Sequence, residues 1–160
     1  LAKGPGMESA LMCMFSSILI TAAFIDARHI YIPDGIHILI LILCCISLAA
    51  GSGPAIINRL GGSLLAGGFL ALVNLLSRGG VGWGDVKLFA ASGLLIGAAP
   101  AITALLMGYV AAGLWYAVPL VRGRVGRKTQ IPMAPFFAVS LMVCGLWFRQ
   151  LFLWYLGFFR

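Results

Sequence analysis

Residues 82–97 read GWGDVKLFAASGLLIG. A glycine-rich turn leads through one aspartate, Asp85, into an apolar run that holds no second acid. A carboxylate at the head of such a run costs free energy unless something holds or uses it. What Asp85 does therefore depends on where the other acids of the chain fall.

The chain has 160 residues, 62% of them hydrophobic and 9% charged. A soluble domain carries roughly 25% charged residues. Apolar runs close to the ~20 residues that cross a bilayer recur along the sequence. The composition implies an all-α integral membrane protein with no room for a separate soluble domain. Six apolar segments are expected to be transmembrane helices, at about 8–25, 35–50, 56–76, 85–99, 101–121 and 132–148. The tail RQLFLWYLGFFR is too short to cross again, and its aromatics suit an interfacial position. The leading LAKGPG resembles neither a signal peptide nor a span and is set aside as a foreign remnant. Residues 7–160 are then expected to form one polytopic domain.

The formal net charge is +7. The basic residues sit in short gaps between apolar runs and form no aromatic-basic platform, so topology explains them better than nucleic acid does. Arg28 lies in the first gap, Arg78 and Lys87 flank the third, and Arg122, Arg124, Arg127 and Lys128 fill the fifth. The other face carries Arg59 and a near-direct turn at Ala99–Pro100. By the positive-inside rule the first face is cytoplasmic, and both termini point outward. The cysteines Cys13, Cys44, Cys45 and Cys144 lie in apolar runs without metal-ligand spacing, and read as small packing residues. Gly62, Ser63, Ala66 and Gly67 form two small-residue pairs at a spacing of four, which lets helix backbones approach closely.

The four acids are Glu8, Asp26, Asp34 and Asp85. Glu8 is expected in solvent near the start. The other three fall on the face that carries the positive charge, at or just inside the membrane boundary. Asp34 follows Pro33 and suits a helix N-cap. Asp85 could cap as well, but Gly79, Gly80, Gly82 and Gly84 leave its neighbourhood unusually free to turn or to admit another chain. Asp26 closes a helix, where the macrodipole disfavours an anion, so capping gives it no reason to be there. If Asp26 and Asp85 meet, they cannot both ionise easily and come to share a proton. The charged member can then polarise a water while the protonated member donates to a scissile carbonyl.

GWGDVKLF fits the GxGDxK pattern of the type IV prepilin peptidases. DARHIYIPD resembles that family's first aspartate region, and the spacing of Asp26 and Asp85 fits too. IPMAPFFA resembles its IPxGPF segment, with Ala134 in place of the usual glycine. The likeness covers nearly all of the chain. It implies an aspartic endopeptidase of the inner (cytoplasmic) membrane, with Asp26 and Asp85 as the catalytic pair and the active site toward the cytoplasm. The implied partners are the bilayer and a prepilin or pseudopilin substrate, a basic leader followed by an apolar helix. No metal or cofactor is implied. The short form it resembles lacks the cysteine-bearing domain of longer members, so methyl transfer from S-adenosylmethionine is not expected.

Gly82 and Gly84 are expected to shape the turn that presents Asp85. Lys87 either supports the ionised pair or substrate, or snorkels from a helix start. His29 is expected in solvent, and His37 packed or at the interface. A competing class, a proton- or ion-coupled carrier, needs acids near mid-membrane and internal repeats. The acids lie at one boundary, and no repeat is seen. A non-catalytic scaffold is the remaining alternative.

Overall fold

The computed structural model describes residues 5–121 and 132–158. The basic cluster Arg122, Arg124, Arg127 and Lys128 lies outside the described residues, as does Ile131 of the IPMAPFFA segment. All regular structure among the described residues is helical: α1 (Pro5–His29), α2 (Asp34–Ala49), α3 (Ile56–Gly62), a π-helical turn (Ser63–Gly67), α4 (Gly68–Leu76), α5 (Trp83–Ile96), α6 (Ala98–Val121) and α7 (Ala134–Phe158). The π turn joins α3 to α4 without a break, so the elements form six rods, matching the number of apolar segments. Among the described residues three helices are long and apolar enough to cross a membrane, Gly6–His29, Ile56–Leu76 and Ala98–Ala117. Large apolar side chains such as Ile38, Leu39, Leu64, Leu75, Val110 and Trp115 are exposed on the outside. That exterior suits hydrocarbon rather than water.

Helix α5 is the centre of the bundle and packs against α2, α3, the π turn, α4, α6 and α7. Its sequence permits this because LFAASGLLIG mixes large apolar residues with small ones. Leu88, Phe89 and Leu95 fill the core, and Ser92 and Gly93 admit neighbouring backbones. A Cβ on Gly62 or on Gly93 would collide with the other's backbone, and one on Gly67 would lie 2.7 Å from Ala90 Cβ. The small-residue pairs are thus packing devices, as the spacing indicated. At the far side, α1 packs against α7 and α2, with Phe15, Leu19, Phe137 and Leu141 fully buried between the helices.

Two boundaries differ from the sequence expectation. The turn before α6 is made by Gly97, at φ +89°, rather than by Ala99–Pro100. Ala98 N–H donates to Asn58 Oδ1 at 3.0 Å, so a side chain from α3 caps α6. Pro100 sits in the first turn of α6, where its missing N–H costs nothing. The C-terminal tail is not a separate interfacial element, since α7 runs unbroken to Phe158. Nothing after Phe148 stops a helix, and Phe148 stacks on Phe152 one turn later, at 6.0 Å between ring centroids.

Arg59 also departs from expectation. It is not a solvated loop charge but a core residue, 2% exposed. Its Nε donates to Pro54 O at 2.9 Å, Nη1 to Leu94 O at 3.1 Å, and Nη2 to Ser47 Oγ at 2.8 Å and Ser52 O at 2.6 Å. Leu94 lies in the last turn of α5, whose carbonyls lack intrahelical partners, so a cation there offsets both the dipole and the open acceptors. Cys44 joins the same cluster, its thiol donating to Leu94 O, so it does more than fill space. Arg59→Leu strands these acceptors in an apolar interior. We expect it to cost about 3 kcal/mol and to lower the unfolding midpoint in detergent by roughly 10 °C. An unchanged midpoint would show that the guanidinium is not holding this end of the bundle.

Candidate active site

The ends of α1, α4 and α6 and the starts of α2, α5 and α7 meet at one end of the bundle. Three contacts define it. Ala134 N–H, at the start of α7, donates to Asp26 Oδ2 at 3.0 Å. The His37 ring in α2 bonds Gly84 O in α5 at 3.0 Å. Lys87 Nζ of α5 bonds Asp34 Oδ1 of α2 at 2.7 Å. Asp26, Asp34 and Asp85 therefore share one end, as the sequence indicated.

Asp26 lies one turn before the end of α1 and is 6% exposed. Its position at a helix C-terminus is unfavourable for an anion, yet its side chain reaches the first turn of a different helix. The N-terminus of α7 supplies a backbone donor and the positive end of a dipole. Asp85 occupies the third position of α5, following the extended Gly82. The charge of Asp26 acts on Asp85 across the gap between α1 and α5. The two sequence-selected carboxyls are thus brought within electrostatic reach of each other.

The GxGD pattern has a steric meaning here. A Cβ on Gly82 would stand 3.3 Å from Asp85 Oδ2, so the carboxyl folds back over the space that glycine leaves open. A Cβ on Gly84 would stand 3.2 Å from Ile32 Cβ, so the second glycine lets the α1–α2 connection press against the start of α5. The preceding loop is held by Asn74, a buried residue of α4. With its amide nitrogen turned to Val81, Asn74 donates to Val81 O at 2.9 Å and accepts from Trp83 Nε1 at 3.1 Å. Gly79 closes the α4 terminus at φ +94°, donating to Asn74 O at 2.9 Å. Local glycine chemistry and one buried amide thus aim the first turn of α5.

One expectation is corrected. Asp34 does not cap α2: the N-cap is Pro33, no side chain caps that end, and Asp34 is the first helical residue, turned toward Lys87. Lys87, left open by the sequence, spends its charge on Asp34. Two residues along a helix turn the side chain by roughly 200°, so Lys87 and Asp85 leave α5 on opposite faces. His29 belongs to the last turn of α1 and is exposed, whereas His37 is buried.

Sequence reasoning missed the Ala134 amide, Asn74 and Tyr109. Tyr109 of α6 is partly buried, and the charge of Asp85 acts on it. Its ring meets Phe137 edge-on at 5.2 Å, and Phe137 meets Phe89 edge-on at 5.0 Å, giving an aromatic cluster shared by α5, α6 and α7. The IPMAPFFA likeness marked the neighbourhood of Ala134, whereas nothing in the sequence singled out Tyr109. Among the described residues no group of His, Cys, Asp and Glu could hold a metal ion. A cavity of about 280 Å³, lined by Glu8, Ser47, Ser52, Pro100 and Phe148 among others, lies at the opposite end of the bundle from the aspartates.

Carboxyls gathered at one end of an apolar helical bundle define the class: a helical membrane protein with its acids at one edge. The sequence model of the type IV leader peptidase family matches residues 13–117, and the chain belongs to that family. It is 29% identical over 150 residues to a prepilin leader peptidase/N-methyltransferase of Bacillus subtilis, covering 90% of this chain and 58% of that protein. It is 30% identical over 162 residues to the Aeromonas hydrophila protein of the same name, covering 98% and 55%. The Legionella pneumophila protein of that name is 28% identical over 146 residues, covering 88% and 51%. The chain thus spans little more than half the length of these relatives. No solved structure matches it significantly.

Proposed function

We propose that this protein is a membrane aspartic endopeptidase that removes the basic leader from prepilins or pilin-like proteins at the cytoplasmic boundary of the inner membrane. What supports this reading is the placement of Asp26 and Asp85, from helices far apart in sequence, at the same end of a bundle of the type IV leader peptidase family, near enough for their charges to interact. The pair works as a unit. One carboxylate takes a proton from water as the oxygen attacks the scissile carbonyl carbon, and the partner carboxylic acid protonates the carbonyl oxygen. The tetrahedral diol then collapses, the C–N bond breaks, and the nitrogen leaves with a proton from the pair. The products are the leader's carboxylic acid and a new amino terminus.

In this reading all six rods span the bilayer, with both termini outward. Helix α5, with 14 residues, rises only ~21 Å, short of the ~30 Å hydrocarbon thickness. In this reading the shortfall lies at the start of α5, which sets its first turn at the depth where a basic leader gives way to an apolar helix. The test is direct: the detergent-solubilised protein should cut a synthetic peptide with a glycine-ended basic leader and an apolar continuation, at that junction only. Absence of cleavage, or cleavage elsewhere, removes the proposal. Within it, Gly82→Ala should lower kcat about tenfold with little change in unfolding midpoint, because the new methyl displaces the Asp85 carboxyl by only a few tenths of an ångström. Full activity in that variant would show that the Gly82 space is not needed.

A further inference from the structure

We propose that His37 is the positioning residue that sets the register of Asp85, through the carbonyl of Gly84. The proposal rests on the peptidase reading above. Gly84 O and Asp85 N–H belong to one peptide unit, so whatever holds that oxygen fixes the plane from which the Asp85 side chain departs. A carbonyl oxygen is only an acceptor. The ring nitrogen that faces it at 3.0 Å, Nε2, must therefore carry the proton and donate. Gly84 O keeps a second lone pair for the ladder of α5, so the bond to His37 adds to the helix rather than competing with it.

The surroundings favour a positioning role over filler. His37 is 5% exposed and lies one turn into a helix built mostly of isoleucine and leucine, at a place where either would pack without polar cost. Ile32 presses against the same residue, Gly84. The start of α5 is thus held by two side chains, both of which precede or open α2. Outside the grip, Asp34 and Lys87 form an exposed ion pair between the same two helices. His37 Nδ1 lies 3.7 Å from Asp34 Oδ1 and makes no hydrogen bond. The bond to Gly84 O reaches a different helix, and the ring's polarity serves that contact.

The experiment measures kcat and KM of purified protein on the leader peptide described above for His37→Leu, His37→Gln and His37→Asn. Leucine fills the space without a donor. Glutamine places an N–H where Nε2 stands, and asparagine is too short to reach. We expect His37→Leu and His37→Asn to lose about 30-fold in kcat, within the cost of an ångström-scale misplacement, with KM within about twofold. His37→Gln should recover to within about threefold of the parent. A His37→Leu enzyme with undiminished kcat, a loss confined to KM, or a glutamine variant no better than the asparagine one would overturn the proposal. If His37→Leu does not fold, the Gln and Asn pair carries the comparison alone. A parent protein that fails to cut the peptide removes the peptidase reading and this role with it. A parent that cuts while all three variants match it removes only the role of His37.

Discussion

Asp85→Asn should reduce cleavage of a prepilin-type peptide by about 10³-fold in kcat, the scale of a lost acid–base group, while the protein folds as before. The amide has the shape of the carboxyl and fits over Gly82 in the same way, but it neither takes nor releases the proton. Because the replaced acid sits in largely apolar surroundings, the neutral variant should unfold at the same temperature as the parent or higher. The measurement is a paired one, single-turnover cleavage and a melting curve on the same preparation. Residual activity above a tenth of the parent's would take Asp85 out of the mechanism. Collapse of the fold would mean instead that the carboxyl is structural.

Asp26 separates its two duties more sharply. Asp26→Asn keeps an oxygen that can accept Ala134 N–H, so the start of α7 stays tied to the end of α1. Activity should still fall about 10³-fold, because the shared proton is gone. Asp26→Ala should lose the same activity and also about 1–2 kcal/mol of stability, the cost of stranding a buried donor. Equal melting temperatures for the two variants would show that the Ala134 bond contributes nothing. Activity surviving in Asp26→Asn would sink the two-carboxyl mechanism itself.

Much of this arrangement was legible before any coordinates. Six rods follow from six apolar runs, because a bilayer leaves the chain few alternatives to helix. That Asp26, Asp34 and Asp85 share an end follows from alternation along those runs. Contacts that reach across the bundle were not legible. The partner of Asp34 is Lys87 and that of His37 is Gly84, and no local pattern encodes either meeting. Arg59 looked like a loop charge because most of its acceptors are backbone carbonyls, those of Pro54, Ser52 and Leu94, which composition does not reveal. The turn at Gly97 was displaced to Pro100 because proline is the stronger breaker on paper. Glycine at φ +89° does the work there, and proline tolerates the first helical turn. Ile30 at φ +52° is a further surprise, a β-branched residue in a region that favours glycine, on the connection that delivers Ile32 to Gly84.

The π turn at Ser63–Gly67 carries one residue more than an α-helix would use over the same rise. That surplus brings Gly62 and Gly67 to a common side, against Gly93 and Ala90. Winding the same residues as an ordinary α-helix would swing everything downstream by about 100°. Asn74 would rotate away from Val81 and Trp83, and the strap that steers the first turn of α5 would slacken. The winding of one turn in mid-rod is therefore what keeps a distant carboxyl on target.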